Sequence, residues 1–382
     1  MLWLLGACAF TSMASMRVCD SLLPALASEF SAALGKTTGV ISGFTLAYGV
    51  LQLFYGPLGD RYGKLRVIGV ATLSCTVGNL AAAISPSLDW LVASRVLSGA
   101  TAAGIIPLTM AWIGDSVAYE DRQAVLAQLL GATVFGMISG QWLGGLLGGM
   151  VGWRAGFAVL AALFLVSGWT LLARSRKLAA SQPSAPHRIG HLTARVLSLP
   201  WPRRVLGITL LEGLFAFGAL AFIPTYLQMR FGLEMATAGA LAALYGVGGL
   251  VYSACARNLV RRLGESGLAR LGGVALGTAL ASLACLPSWI WAGPACLVAG
   301  FGFYALHNTL QTNATQMAPQ ARGTAVALFA CTLFLGQTTG VLAAASVVEH
   351  FDASFVFAGS ALGLLLVGAT WAALIKPHQK TV

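Results

Sequence analysis

Eleven stretches of this chain contain no Asp, Glu, Lys or Arg: residues 1–16, 37–59, 67–88, 96–114, 123–153, 155–173, 213–229, 235–256, 271–321, 323–348 and 353–375. Most are long enough for a helix to cross a hydrocarbon layer, which takes about 20 apolar residues. Charged residues make up only 9% of the chain, against about 25% in soluble domains. The runs are continuously apolar, whereas membrane β-strands alternate over about ten residues, so a β-barrel is excluded. The fold class is therefore an all-α membrane protein. The longest run, 271–321, must hold two helices divided near Pro287-Ser288. The sequence predicts twelve spans, near 5–27, 38–57, 67–84, 90–111, 124–149, 154–173, 205–228, 236–256, 268–286, 290–312, 323–346 and 354–375.

A net charge of +11 would suit a nucleic-acid partner, but the placement of the charges argues otherwise. With the N-terminus inside, cytoplasmic segments hold Arg61, Lys64, Arg66, Arg122, seven basic residues between Arg174 and Arg204, four between Arg257 and Arg270, Arg322, Lys376 and Lys380. The other side holds Lys36, Arg154 and Arg230. This is the positive-inside bias of a multi-pass protein. It predicts two cytoplasmic termini in a bacterial-type inner membrane, a lipid bilayer as partner and no nucleic acid. The seven cysteines stand singly inside apolar segments, without metal or disulfide spacing. Trp90, Trp153 and Trp289 have the placement of interfacial anchors.

The chain repeats itself. Gly56-Pro57-Leu58-Gly59-Asp60-Arg61-Tyr62-Gly63-Lys64 returns, worn, as Arg257 to Glu265: Leu58 and Gly63 match Leu259 and Gly264 at an offset of 201, with Arg261 in place of Asp60. Pro24 and Pro224, Gly99 and Gly300, and Arg122 and Arg322 echo at 200 or 201. Gly140-Gln141-x-x-Gly144 returns as Gly336-Gln337-x-x-Gly340. One proline-containing basic linker, 174–204, separates six spans from six. The predicted units are 1–173, the linker, and 205–382. An even number of crossings gives both copies one orientation, as in transporters built from parallel repeats.

These residues resemble the major facilitator superfamily (MFS), drug:proton antiporter-like branch. Gly56-x-Leu58-Gly59-Asp60-Arg61-x-Gly63-Lys64 matches the family signature between the second and third helices. Leu91-x-x-x-Arg95-x-x-Ser98-Gly99 resembles its fourth-helix motif, with Ser98 where Gln is usual, and Trp153-Arg154-x-x-Phe157 resembles the turn into helix six. The fifth-helix antiporter motif is altered: Gly136-x-x-x-Gly140-Gln141-x-x-Gly144-Gly145 has Gln141 where proline is expected. The resemblance implies two six-helix bundles and a cytoplasmic gate made of Gly56, Asp60, Arg61, Gly63, Lys64, Asp115, Arg122 and Arg322. In that gate Asp60 would face Arg322 and Lys64 would meet Asp115. Small residues every fourth position let helices approach closely, so Gly136, Gly140, Gly144 and Gly145, with Gln141 among them, read first as packing.

Ionisable groups within spans are costly and usually face a polar interior. Here they are Arg17, Asp20, Arg95, Glu212 and His307, on helices one, four, seven and ten, which line the cavity in the family resembled. At 1.5 Å per residue, Asp20 and Arg95 lie about 6 and about 8 Å to the outer side of mid-span, and Glu212 and His307 about 7 and about 9 Å to the inner side. Asp20 can thus pair with Arg95 or Arg17, and Glu212 with His307. An acid alternating between a cation and a proton can drive a conformational change, since a nearby cation favours its charged form and burial its neutral form. Asp20 is the leading proton carrier, with a static ion pair as the plainer alternative. His307 reads first as a hydrogen-bonded core residue. Asn308, Gln311, Tyr48, Gln52 and Gln337 are polar candidates for orienting a solute.

No phosphate loop, metal cluster or nucleophile elbow is present, so no enzyme is expected and no cofactor beyond protons as coupling ion. The expected function is secondary active transport of a small organic solute by a monomer, driven by the proton gradient. Export comes first and proton-coupled uptake of an anionic metabolite second. A non-transporting receptor is the rival from another class.

Overall fold

The computed structural model describes residues 1–175 and 189–379. Arg176, Lys177, Pro183, Pro186, Arg188 and Lys380 lie outside those residues. In an apolar medium a backbone satisfies itself only within helices or closed barrels, and among the described residues all regular structure is helical. In chain order come α1 (Leu2–Arg17), α2 (Leu23–Glu29), α3 (Leu34–Thr37), α4 (Gly39–Tyr62), α5 (Lys64–Ala83), α6 (Leu88–Ala102), α7 (Ile105–Ser116), α8 (Tyr119–Met150) and α9 (Trp153–Ser175). After the undescribed segment follow α10 (Ile189–Ser198), α11 (Pro200–Phe231), α12 (Met235–Ala284), α13 (Ala292–Gln316), α14 (Arg322–His350) and α15 (Ser354–Gln379).

Ten segments among the described residues are long and apolar enough to cross a membrane. The difference from twelve comes from two places. The first expected span, 5–27, is divided into α1 and α2 by a turn at 18–22. Expected spans eight and nine run together as α12, interrupted at Gly264 (φ 64°, ψ 179°). Proline explains the divided helices, because it lacks an N–H and its ring crowds the carbonyl four residues earlier. Pro24 acts on Asp20 and Pro107 on Ala103, where α6 gives way to α7. Pro224 lies inside a continuous α11, so the copies differ at this point. The linker also departs from expectation: residues 189–198 form α10, and α11 begins at Pro200 rather than 205.

The repeat is visible in the packing. Gly63 (φ 86°) and Gly264 (φ 64°) make the corresponding turns, in a region that glycine enters without a Cβ penalty. Gly99 on α6 lies under the Phe44 carbonyl of α4, and Gly300 on α13 under the Tyr245 carbonyl of α12, each too close for a Cβ. Phe44 and Tyr245 are again 201 apart. Gly136 and Gly140 of α8 abut α1 at the Phe10 and Ala14 carbonyls, as Gly336 and Gly340 of α14 abut α11 at Leu210 and Leu214.

The halves meet through α8 with α12 and through α4 with α14. Away from the linker, at the far end, Gly145 abuts the Met235 carbonyl and the Gly35 N–H donates to Glu349 Oε1 at 2.9 Å. Nearer the middle, the Thr45 and Thr338 hydroxyls bond at 2.9 Å and Gly49 abuts Phe334. Towards the linker end, Gly56, Gly131, Gly207 and Gly323 face open space. Among the described residues, these contacts between the halves lie at the far end and at mid-height.

Candidate functional site

Asp20 sits in the turn that Pro24 creates, fully buried beside the equally buried Arg17. Its Oδ2 accepts from Arg17 Nη1 at 3.4 Å and from Gln141 Nε2 at 3.2 Å. Its Oδ1 is buried without a hydrogen-bond partner among the described residues. The Arg17 guanidinium also lies 4.8 Å over the Phe217 ring of α11, so this cation is shared by an acid of its own half and a ring of the other. Gln141, expected as a packing residue, is therefore part of the acid's environment. Gly144 abuts the Val18 carbonyl of the turn, whereas Gly145 packs against the opposite half rather than against α1.

Of the two partners open to Asp20, the structure pairs it with Arg17. Arg95 donates to the Val40 carbonyl (3.2 Å), the Ser15 hydroxyl (3.2 Å) and the Ser15 carbonyl (2.7 Å). Its guanidinium lies 4.3 Å over the Phe44 ring. A buried charge is costly unless hydrogen-bonded, and three fixed oxygens and a ring meet that need. Arg95 thus ties α1, α4 and α6 together, and no ion pair to it occurs among the described residues. Ser15 and Phe44 went unnamed in the sequence reading, for lack of any charge to mark them.

In the other half, His307 Nδ1 lies 2.9 Å from Glu212 Oε2, and Glu212 Oε1 is buried without a partner. The imidazole stacks on Phe303 at 5.0 Å and lies 5.3 Å from Phe329. Phe303 in turn contacts Phe217 at 5.1 Å and Tyr245 at 5.8 Å. An aromatic wall thus runs from His307 to the ring beneath Arg17. The Tyr245 hydroxyl, both amide atoms of Gln337 and Gln52 Nε2 are buried, with no hydrogen-bond partner among the described residues. Tyr245 was missed from sequence, since it carries no charge to mark it within its span. Asn308 donates to the Tyr252 hydroxyl at 2.9 Å, and Gln311 is exposed on α13, so neither joins this cluster. Tyr48 packs its ring on Phe334 at 4.7 Å.

At the linker end, Lys64 bonds Asp115 and reaches Asp60 at 3.7 Å. Asp60 makes no ion pair with Arg322 among the described residues, contrary to the latch expected from the resemblance. Asp60 is paired instead with Lys64 of its own half. Arg61 lies 5.1 Å over Tyr62, and Arg122 Nε donates to the Val117 carbonyl at 2.9 Å. In the second copy, Glu265 takes the position of Lys64 and accepts from Asn313 at 3.1 Å.

Trp90 and Trp289 are exposed, but Trp153 is buried, its indole N–H donating to Glu29. That tryptophan is a packing residue rather than an interfacial anchor. Burial pushes the Glu29 carboxyl up, but hydrogen bonds from Trp153 and Arg154 outweigh it and hold the group below its ordinary value. Among the described residues no group of three His, Cys, Asp or Glu side chains is placed to hold a metal ion.

The profile of the family described as Major Facilitator Superfamily matches residues 5–338. The chain is 23% identical over 358 residues to an uncharacterized MFS-type transporter, YceJ, of Bacillus subtilis (strain 168), covering 92% of this chain and 91% of that protein. A shorter match, 28% identical over 138 residues, reaches 35% of this chain and 27% of the multidrug export protein EmrB of Haemophilus influenzae. The solved structure of a point mutant of the nucleoside transporter NupG superposes with a TM-score of 0.80 at 14% identity, covering 97% of this chain and 99% of that one. At that identity the likeness concerns the fold.

Proposed function

Since the chain belongs to the Major Facilitator Superfamily and is a membrane transporter rather than an enzyme, we propose that it is a monomeric proton-coupled exporter of a small organic solute. It works by alternating access in a bacterial-type inner membrane, with the linker end and both termini cytoplasmic. The observation that carries the reading is the Asp20 carboxylate: buried in a helix break, one oxygen held by Arg17 and Gln141 and the other unpartnered. Charged, it keeps the ion pair and the amide bond. Protonated, it loses the ion pair, and Arg17, which also touches Phe217, is freed to change partners. Proton binding therefore alters what holds α1 to α8 and α11. Glu212 with His307 is the second titratable pair, set in an aromatic wall suited to a partly apolar solute.

The partial match to a multidrug export protein supports export. Uptake of an anionic metabolite finds less support, because of the two buried arginines Arg95 is committed to Ser15 and Val40. The test is flux in proteoliposomes under an imposed pH gradient, using a panel of fluorescent organic cations and neutral amphiphiles. Asp20→Asn is expected to abolish gradient-driven accumulation while retaining exchange of solute for solute. Full gradient-driven transport in both Asp20→Asn and Glu212→Gln would overturn the assignment.

A further inference from the structure

Asp20 is flanked by two residues that touch the opposite half, Arg17 at the end of α1 and Ser21 in the turn. Three positions before it, Arg17 lies over the Phe217 ring of α11. One position after it, the Ser21 carbonyl accepts from Gln228 Nε2, also on α11, at 3.0 Å. The Ser21 hydroxyl donates to the Gln141 carbonyl at 3.0 Å, and a Cβ on Gly239 of α12 would overlap both groups. Gln141 completes the connection by donating its side-chain amide to Asp20. The carboxylate and the seam between the halves therefore share residues: Gln141 holds Asp20 with its side chain and Ser21 with its main chain.

We propose that Gln141 and Gln228 are positioning residues that transmit the charge state of Asp20, through Ser21, to the far-end seam. Loss of the charge releases Arg17 and the Gln141 amide, slackens the 18–22 turn and weakens the grip of Gln228 on Ser21. The inference rests on Asp20 being the proton carrier. The turn suits the task, because Asp20 N–H bonds the Arg17 carbonyl (3.2 Å) and Leu22 N–H the Cys19 carbonyl (3.0 Å). These are three-residue closures that can shift without unwinding a long helix. The charged groups near Asp20 are Arg17 on its own helix and Arg95 from α6. Its neighbour Cys19 carries a buried thiol, while α8 brings neutral Gln141 and α11 neutral Gln228, held to Ser21.

The test reads far-end separation in the full chain, reconstituted in lipid, and needs no solute. Spin labels are placed on Ile84→Cys and on native Cys285, both exposed at the far end, with the exposed Cys255 replaced by serine. Coupling between sites is commonly 5- to 150-fold. Asp20→Asn is accordingly expected to raise the far-open to far-closed ratio by about tenfold in the wild-type background, and by less than about threefold when Gln228→Leu is also present. A purely structural role for Gln228 would shift the baseline and leave the Asp20→Asn increment whole, which overturns the link while sparing the carrier. No response to Asp20→Asn in the wild-type background overturns the carrier reading itself and the link with it. Gln141→Leu is measured in parallel, and Gln228→Leu, at a half-buried position, serves if that variant does not fold.

Discussion

Arg17 and Arg95 are both buried in the same half, and the number of fixed acceptors around each decides what it does. Arg95 holds three oxygens from two helices and a ring, a set that only a planar fork of donors reaches at once. Lysine offers a single ammonium, so Arg95→Lys leaves acceptors unpaired at about 1–3 kcal/mol each. The variant is expected to unfold at a clearly lower temperature in detergent than wild type. Arg17→Lys keeps a cation beside Asp20, costs less stability and instead shifts the pH dependence of transport. Equal thermal stability for Arg95→Lys would contradict the role assigned to it. Glu29 gives a second residue-scale prediction. Its folded-state pKa is lowered, so its stabilising contribution is present above its ordinary value of 4.5 and is lost as the pH falls through the lowered value. The carboxylate is more than a third exposed, so screening keeps the effect small. Melting curves of wild type and Glu29→Gln should differ near neutrality and converge below that window.

Among the elements, the broken first helix decides most. Pro24 removes the N–H that would bond the Asp20 carbonyl and crowds that carbonyl, which yields the turn the acid occupies. Pro24→Ala restores the missing donor, so α1 and α2 are expected to join. Helix content and thermal stability then hold or rise while gradient-driven transport falls. Unaltered transport, measured on the same proteoliposomes, would mean that the break is dispensable. The proline and its distance from Asp20 were plain in the sequence, yet the segment 5–27 was long enough for one span despite Arg17 and Asp20, and only backbone geometry reveals the break. The turns at Gly63 and Gly264 were legible because repetition marked them. Glu212 and His307 were legible because charge in a span is costly and their depths agreed. Gln141 was misread: its side-chain direction depends on how α8 is rotated against α1, which glycine spacing does not report. Tyr245 carries no charge, so its place beside Phe303 emerged only from packing.

On the scale of the whole molecule, the proposed mechanism makes the contacts between the halves one state of a rocking pair. Helices α8 and α12, and α4 and α14, touch towards the far end, and among the described residues Asp60 pairs with Lys64 rather than Arg322. Under the alternating-access mechanism proposed above, the pairing of Asp60 with Arg322 would form in the opposite state, with the linker end closed. Alternating access requires the far seam at Gly35 and Glu349 to separate once per cycle. With Gly35→Cys and Glu349→Cys in a background where Cys255 and Cys285 are serine, a short cleavable thiol cross-linker should join the halves readily, since a Cβ on Gly35 would fall beside the Glu349 carboxylate. Transport is then expected to stop and to return when the cross-link is cleaved. A cysteine pair at positions 60 and 322 should behave inversely, cross-linking poorly in the wild-type background and faster with Asp20→Asn, because neutralising the acid that opens one end closes the other. Undiminished flux through the protein cross-linked at 35 and 349 would show that the far seam never needs to part, and the rocking of two halves would have to be given up.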